Sequence, residues 1–355
     1  AWGSCVGRCE MDGDFVGLDD MMTEDWAVVK GLAEAYGSWI TKYGIDGFRI
    51  DTAKHVDPYF FGRWLPLIND TATAAGKPQF TSFGEAWITD SVQLSELMRA
   101  RQLPSVIDFP YQETVRDYVT KKATGGSLAL LFADDDYYTT ASTNAYGLTT
   151  FLGNHDMGRI GFFLAPDTTA QGQELVERDL LAHDLLFLTR GTPVVYYGDE
   201  VGMTGSGDGT DKKARQDMFP TEVADWRTEE RIGSAPIGTG SSLGASSPIA
   251  SRITALTRLR AAQQLADQTG CVVVLKGSGS VIAQPGRTPL INPTGNARLA
   301  TAGTGDVLAG LAGACLAGGA DAFEAAAQAA WRHGLAADPW PAGQPLTAGA
   351  LAARL

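Results

Sequence analysis

The chain has 355 residues, 44% of them hydrophobic, and a formal net charge of −13. This length favours two domains, and the acidic balance argues against nucleic acid as a partner, because phosphate groups are neutralised by clustered Lys and Arg. No apolar run reaches the roughly 20 residues that a membrane-spanning helix needs, so no membrane partner is predicted. The sequence opens on Ala1, which indicates a processed or truncated chain.

Four cysteines are present, two of them close together. Cys5 and Cys9 have the spacing of a local disulfide, and two free thiols are an equal alternative. A zinc site is disfavoured because no second ligand pair follows at metal spacing, and no metal ligand is assigned. Cys271 and Cys315 lie in apolar runs and are predicted to be small buried core residues.

The first 261 residues alternate short β-rich runs with amphipathic or loop-rich stretches. Five runs are predicted to be strands: GIDGFRI, QFTSFGE, SVIDFP, TTFLGN and TPVVYYG. Such alternation predicts an α/β fold of parallel strands with covering helices. Acidic residues crowd the C-terminal ends of the runs, where α/β barrels place their chemistry: Asp51, Glu85, Asp156, Asp199 and Glu200.

Two of these acids have contrasting surroundings. The pleat of a strand sends Arg49 and Asp51 to the same face, so the Asp51 carboxylate is expected to stay ionised, as a nucleophile requires. Glu85 lies between aromatic residues, and an apolar setting raises a carboxyl pKa and favours a proton donor. Glycoside cleavage needs one charged and one protonated carboxyl group. His155 and Asp156 add groups that hold sugar hydroxyls and stabilise positive charge on the ring.

Each acid alone is also compatible with an ordinary strand-end residue or ion-pair partner, but their order along the chain favours a site. GFRIDTAKHV, GEAW and FLGNHD resemble motifs of the α-amylase family of glycoside hydrolases, over about residues 12–260. The resemblance implies a partial (β/α)8 TIM barrel that acts on an α-glucan or maltooligosaccharide. It implies Asp51 as nucleophile, Glu85 as acid/base and Asp156 as transition-state stabiliser, with substrate contacts from Arg49, Lys54, His55, Trp87 and His155.

The family's D-x-V-x-N-H motif and its first three strands do not occur in this sequence. A barrel without those strands has an open edge of unpaired backbone groups. The resemblance implies a calcium ion as a cofactor of this region. The glycine-rich GSGDGT is predicted to be a loop that follows the last strand.

Composition changes near residue 261. The residues beyond it hold five acidic and five basic side chains, so the whole net negative charge lies before them. No Tyr occurs beyond Tyr197 and no Met beyond Met218, while alanine becomes dominant. We therefore predict two regions of different origin, residues 1–261 and 262–355. PIASRITALTRLRAAQQLADQ is predicted to be a helix that crosses this boundary.

The second region carries glycine-rich loops. CVVVLKGSGSVIA is predicted to be two strands joined by a turn that holds Lys276, and INPTGN is a further turn. Gly303, Thr304 and Gly305 lead into an alanine-rich helix, whose N-terminal amide groups favour an anion. Asp306 alone would be an ordinary helix-start residue, but the neighbouring loops favour a site.

The run NPTGN with LATAGTGDVLAG resembles ADP/ATP-dependent NAD(P)H-hydrate dehydratase, a lyase with a ribokinase-like α/β fold, over about residues 262–355. The N-terminal half of that family's domain does not occur here, so the domain is predicted to be partial. The resemblance implies ADP or ATP with Mg²⁺ as cofactors and hydrated NAD(P)H as substrate. It implies Asp306 as the catalytic base and nucleotide contacts from Lys276, Gly277, Ser278, Gly279, Ser280 and Gly305.

Three hypotheses follow for the whole chain. The leading one is a chimeric or mis-joined chain in which a partial amylase-type barrel precedes a partial dehydratase, with neither activity at normal family rates. The alternatives are a bifunctional enzyme and a non-catalytic carbohydrate-binding remnant that keeps aromatic platforms such as Trp87 and Tyr197. The first family is often secreted and the second is cytoplasmic, so the localisation stays open.

Overall fold

The computed structural model describes residues 20–166, 172–205, 211–341 and 343–355. Cys5, Cys9 and most of the GSGDGT loop lie outside these described residues. The chain divides into two compact units, which we call unit 1 (residues 1–249) and unit 2 (residues 250–355). Within the described ranges, no helix combines the length and the apolar character that crossing a membrane requires.

Unit 1 is built on short parallel strands: β1 (Gly47–Ile50), β2 (Thr81–Gly84), β3 (Thr149–Phe151) and β4 (Thr192–Val194). β1 pairs with β2, and β3 pairs with β4. Parallel bridges from Gly84 to Val106 and from Ile107 to Thr149 link the two pairs. Four of the five predicted runs contain a strand, whereas the third, SVIDFP, contributes only these two single bridges. The order across the sheet follows the order along the chain, and the α/β prediction is confirmed. Among the described residues, β1 and β4 each have one strand neighbour.

Helices separate these strands along the chain. In the described part of unit 1 they are α1 (Trp26–Tyr43), α2 (Phe60–Ala74), α3 (Ser91–Arg99), α4 (Phe109–Val119), α5 (Gly125–Ala133), α6 (Ile160–Leu164), α7 (Gln173–Leu188) and α8 (Ala224–Arg227). The largest core cluster joins α1 and α2 to the sheet and includes Val29, Ile40, Phe61, Trp64, Ile68, Leu94 and Leu103. This packing fixes the strands whose ends carry the predicted site.

The first helix shows how local sequence sets these elements. Asp25 caps α1 by accepting a hydrogen bond from the first-turn main chain at 2.6 Å. Val29 and Ile40 lie on one stripe of the helix and are buried against α2 and the sheet. Gly44 ends the helix in the left-handed conformation (φ 68°) and donates its N–H to the Ile40 carbonyl.

Unit 2 contains most of α9 (Pro248–Thr269), the antiparallel strands β5 (Val273–Leu275), β6 (Val281–Gln284) and β7 (Arg287–Ile291), and the helices α10 (Thr304–Ala317), α11 (Ala322–Ala337) and α12 (Ala348–Ala352). The strand order is β5-β6-β7. The predicted strand pair around Lys276 and the predicted helix after Gly303 are both confirmed.

The prediction that Cys271 and Cys315 are buried core residues is wrong. Cys271 is exposed and Cys315 is half-buried. Cys271 lies in the turn between α9 and β5, where its thiol donates to the Thr269 carbonyl at 3.4 Å. Cys315 lies on α10, in which Thr304 is the one fully buried residue. Apolar neighbours in sequence therefore did not indicate burial, because the turn and the outer helix face leave both thiols accessible.

Candidate functional site

The two predicted catalytic carboxylates lie side by side at adjacent strand ends. Ile50 and Gly84 are partners in the parallel register of β1 and β2, so Asp51 and Glu85, the next residues, emerge at the same level. The main-chain N–H of Glu85 donates to the Ile50 carbonyl at 2.7 Å. Gly84 is needed here because a Cβ on it would come within 2.8 Å of the Ala53 side chain.

Arg49 joins the two carboxyl groups. Its Nη1 lies 3.7 Å from Asp51 Oδ1, and its Nη2 donates a hydrogen bond to Glu85 Oε2. The Asp51 side chain is 69% exposed, whereas that of Glu85 is 11% exposed. Asp51 is therefore open to a ligand, and Glu85 is enclosed behind it.

The pKa values of the pair move in opposite directions. Burial raises the pKa of Glu85 to about 7, with a further contribution from its hydrogen bond to Asp51, and these outweigh the opposing effect of Arg49. The pKa of Asp51 is lowered, mainly by the hydrogen bond with Glu85 and also by the charge of Arg49. The two pKa values are shifted in the predicted directions, and Glu85 rather than Arg49 is the larger cause at Asp51.

The loop after β3 holds His155 and Asp156. His155 Nε2 lies 3.3 Å from Asp156 Oδ2. Asn154 shapes the loop, because its side-chain oxygen accepts hydrogen bonds from the main-chain N–H groups of Asp156 and Met157, both at 2.9 Å. His155 also contributes to the lowered pKa of Asp51. This loop therefore lies within electrostatic range of the carboxyl pair.

Arg215 was not predicted from the sequence. Its Nη2 lies 3.5 Å from Asp156 Oδ1, and its Nε donates to the His155 carbonyl at 3.4 Å. The run KKARQ gives no signal for such a role, because the contact joins residues 59 positions apart. Arg215 brings a positive charge to the third predicted carboxylate.

The remaining predicted sugar contacts lie in the segments that follow the carboxyl ends of β1 and β2. Lys54 and His55 belong to a short 3₁₀ turn, Ala53–His55, which begins two residues after Asp51. The carbonyl of Lys54 accepts a hydrogen bond from Arg101 at 3.0 Å. Trp87 is 53% exposed and stacks on Phe109, with ring centroids 5.6 Å apart and planes 14° apart. The exposed indole is available as a platform for a sugar face.

A buried polar cluster lies next to the loop that follows β3, and Arg159 is its centre. The Arg159 side chain is fully buried, and its Nε donates to Gln216 at 3.0 Å. Its Nη1 donates to the Tyr197 carbonyl and lies 3.1 Å from Asp199 Oδ1. The guanidinium also lies over the rings of Tyr196 and Tyr197, 4.6 Å and 5.0 Å from the centroids.

No group of three His, Cys, Asp or Glu side chains in the described ranges converges as a metal site. No step below depends on the calcium ion that the resemblance implies.

Unit 2 contains a cavity of about 600 Å³. Three loop regions and two helices line it: residues 276–280, residues 292 and 294–297, residues 299–302, residues 304, 305 and 308 of α10, and residues 330, 333 and 334 of α11. The predicted nucleotide contacts Lys276, Gly277, Ser278, Gly279, Ser280 and Gly305 are all among them. A volume of this size lies within the usual range of small-molecule sites.

The cavity has the features of an anion cradle. The Lys276 ammonium lies 2.9 Å from the position that a Cβ on Gly305 would take, so it reaches the first turn of α10. Gly277 and Gly279 have positive φ values of 146° and 62°, which let the loop turn tightly around the space. A lysine charge beside a helix N-terminus suits a phosphate group.

Asp306 lies at the edge of this arrangement. It is the third residue of α10, is exposed, and does not line the cavity, whereas its neighbour Gly305 does. His333 lines the cavity although sequence reasoning passed over it, because it sits within an alanine-rich helix without a motif. The NPTGN turn, which the sequence did single out, forms part of the wall.

Comparison with known proteins bears on both units. The family described as "Alpha amylase, catalytic domain" matches residues 11–231. An α-amylase of Streptomyces lividans is 43% identical over 258 residues, which is 72% of this chain and 28% of that protein. The structure of the α-amylase from Geobacillus thermoleovorans, complexed with acarbose, gives a TM-score of 0.57 at 23% identity. That match covers 79% of this chain and 55% of the other, and it shows likeness of fold.

The family described as "NAD(P)H-hydrate dehydratase" matches residues 246–354. An ADP-dependent (S)-NAD(P)H-hydrate dehydratase of Neisseria meningitidis is 44% identical over 98 residues, which is 28% of this chain and 33% of that protein. The chain thus spans less than a third of the first relative and a third of the second. The chain belongs to the α-amylase family through residues 11–231, and its residues 246–354 are similar to the NAD(P)H-hydrate dehydratase family.

Proposed function

We propose that unit 1 carries the machinery of a retaining glycoside hydrolase for α-glucans, on a partial (β/α)8 barrel. The single observation that carries this proposal is the Asp51–Glu85 pair, whose pKa values are shifted apart at adjacent strand ends. Inverting glycosidases hold their two carboxyl groups about 6.5–9.5 Å apart to admit a water molecule. Here the two groups follow paired positions of adjacent strands, which favours the closer spacing of about 5–5.5 Å that retaining enzymes use.

In this mechanism Asp51 attacks the anomeric carbon while Glu85 gives its proton to the departing glycosidic oxygen. The bond from the anomeric carbon to that oxygen breaks, and a glycosyl ester on Asp51 forms. Glu85, now ionised, takes a proton from water, which attacks the same carbon and releases Asp51. Arg49 holds Asp51, and Asp156 stabilises positive charge on the ring. Lys54, His55, Trp87 and His155 contact the sugar chain.

Hydrolysis should depend on pH through Glu85. The acid must be protonated in the free enzyme, and its pKa is about 7. We therefore expect kcat/KM for maltoheptaose to be level below pH 7 and to fall about tenfold for each pH unit above it. Initial rates measured between pH 5 and 9 would check this, with circular dichroism at each pH as a control for folding. A profile that is flat up to pH 9 would contradict the assignment of Glu85.

A second candidate is binding without cleavage. The exposed Trp87, stacked on Phe109, favours it, since this platform needs no complete catalytic site. Incubation with maltoheptaose separates the two functions. Saturable binding with release of shorter sugars supports the hydrolase, whereas saturable binding without products supports a carbohydrate-binding remnant.

For unit 2 we propose a nucleotide site of the dehydratase type on a partial ribokinase-like domain. Lys276, Ser278, Ser280 and Gly305 would hold the phosphates of ADP or ATP, and Mg²⁺ would accompany them. The nucleotide supplies the phosphoryl group that activates the substrate hydroxyl. Asp306 would take the proton from that hydroxyl in hydrated NAD(P)H as its oxygen bonds to the terminal phosphorus and the bond from that phosphorus to the rest of the nucleotide breaks. Phosphate would then leave with the electron pair of its C–O bond, and the neighbouring carbon would lose a proton to solvent as the double bond forms.

The test of this second proposal is recovery of NADH absorbance from hydrated NADH after ADP is added. We expect measurable recovery, at a rate well below that of whole dehydratases, because the chain spans 33% of its relative. Asp306→Asn should lower that rate at least about 100-fold, as expected on loss of a general base. Asp267→Asn, which changes an exposed carboxylate on α9 away from the cavity lining, serves as the control. Equal rates for Asp306→Asn and the unmodified chain would exclude the role of Asp306.

The whole chain is best described as a chimera of two families, each represented by a C-terminal portion. The family matches leave residues 232–245 between them, and the predicted boundary at residues 261 and 262 falls inside α9. A bifunctional enzyme remains the alternative, and it requires both activities in one preparation. Sequencing the source DNA across codons 230–270 would locate the join.

A further inference from the structure

Helix α11 is attached to one wall of the unit 2 cavity through main-chain carbonyls. The NPTGN turn, residues 292–296, lies along the helix, and a Cβ on Gly334 would clash with Thr294. Three side chains of the turn donate hydrogen bonds to α11: Asn292 to the Ala330 carbonyl (3.2 Å), Thr294 to that of Trp331 (2.9 Å) and Asn296 to that of Ala337 (2.9 Å). The main-chain N–H of Gly295 adds a fourth bond, to the Asp338 carboxylate at the end of α11 at 3.0 Å, so the wall is fixed to the helix along its length.

His333 reaches from the same helix to the opposite wall. Its Nε2 lies 2.8 Å from the carbonyl oxygen of Thr304, the first residue of α10. A carbonyl only accepts, so Nε2 must carry the proton and donate. His333 is buried, 7% exposed, and lines the cavity. It is thus a side chain that connects α11 to the helix start where the Lys276 ammonium also lies.

The surroundings keep this donor uncharged near neutral pH. Burial lowers the pKa of His333, and the positive charge of Lys276 lowers it further, against the opposing effect of the Thr304 hydrogen bond. A neutral imidazole has one N–H, and here the carbonyl of Thr304 holds it on Nε2. The tautomer of His333 is therefore fixed by the start of α10.

We propose that His333 is a positioning residue of the cavity, which holds the first turn of α10 against the NPTGN wall so that its amide groups and Lys276 can grip a diphosphate. This inference rests on the proposed nucleotide site for the identity of the ligand. The connection itself, from α11 to Thr304, does not depend on the ligand.

The test uses the full chain and a matched pair of variants. His333→Gln keeps an N–H at nearly the same reach, whereas His333→Met keeps the volume and removes the donor. We expect the Kd for ADP with Mg²⁺, measured by calorimetry, to be similar in the unmodified chain and in His333→Gln. In His333→Met it should rise about tenfold, the effect of one buried hydrogen bond. Arg332→Met, an exposed neighbour, is the control and should bind as the unmodified chain does.

A purely structural role would lower the melting temperature of His333→Met and leave its ADP affinity unchanged at temperatures well below the melting temperature, and that result would overturn the proposal.

If the unmodified chain binds no ADP, the proposed nucleotide site fails, and hydrogen exchange of residues 305–308 decides the positioning role. Faster exchange in His333→Met but not in His333→Gln supports it, and equal exchange overturns it. Nitrogen NMR of the unmodified chain gives a last check, because an Nδ1–H tautomer of His333 would contradict the geometry.

Discussion

Asp51→Asn is expected to lower the hydrolysis of maltoheptaose at least about 10³-fold, because the amide removes the nucleophile from the reaction. The Asp51 side chain is 69% exposed, so the substitution should leave the fold intact. The loss should therefore appear in the rate and not in the melting temperature. Chromatography of the released sugars gives the rate, and differential scanning calorimetry gives the stability.

The same strand offers a control. Asp46 lies immediately before β1, at the opposite end from Asp51, and its exposed carboxylate pairs with Lys77 at 2.5 Å. Asp46→Asn should leave hydrolysis unchanged.

A nitrophenyl maltoside separates the role of Asp51 from that of Glu85, because its leaving group departs without a proton. Glu85→Gln should then form the glycosyl enzyme, and added azide should release it, whereas Asp51→Asn should remain inactive. Hydrolysis by Asp51→Asn at the unmodified rate would refute the nucleophile assignment.

Arg159→Met is expected to destabilise unit 1 by about 3–5 kcal/mol, the usual effect of removing one partner from a buried ion pair. The Asp199 carboxylate would stay buried without its counter-charge, and Gln216 would lose its donor. Urea unfolding followed by tryptophan fluorescence measures the change. Arg63→Met is the matched control: Arg63 is exposed and lies over Tyr59, so its loss should cost less than about 1 kcal/mol.

The loss of stability in Arg159→Met should depend on pH, because burial raises the pKa of Asp199 to about 7. Below that pKa the carboxyl group is neutral and tolerates the absence of Arg159. The stability of Arg159→Met should therefore be close to that of the unmodified chain at pH 5, and the difference between them should be larger at pH 8. The double variant Arg159→Met with Asp199→Asn should recover part of the loss at pH 8. A change of less than 1 kcal/mol in the single variant at pH 8 would show that the cluster does not stabilise unit 1.

The sequence was sufficient to predict the strand ends that hold the candidate site. Alternation of β-rich runs with helices implies parallel strands, and in a parallel sheet residues that follow paired positions emerge together. Asp51 and Glu85 are adjacent for that reason. The strand pleat also placed Arg49 beside Asp51 correctly. These features depend on local periodicity, which a single sequence contains.

Contacts between distant segments could not be predicted in this way. Arg215 meets Asp156 across 59 positions and Arg159 meets Asp199 across 40, and no periodic pattern marks such pairs. His333 was missed for the same reason, since its partner Thr304 lies 29 positions away. The motif around Asp306 was visible in the sequence, and the structure places the predicted nucleotide contact Gly305 in the cavity lining with Asp306 next to it in the chain.

The margins of the parallel sheet have a consequence for handling this protein. In the ranges that the structure describes, β1 and β4 each pair on one side, so N–H and C=O groups on their other sides are available to a further strand. Such margins recruit strands from other molecules and promote aggregation. The net charge of −13 opposes this through repulsion between molecules. Solubility should therefore be lost first in high salt, where that repulsion is screened.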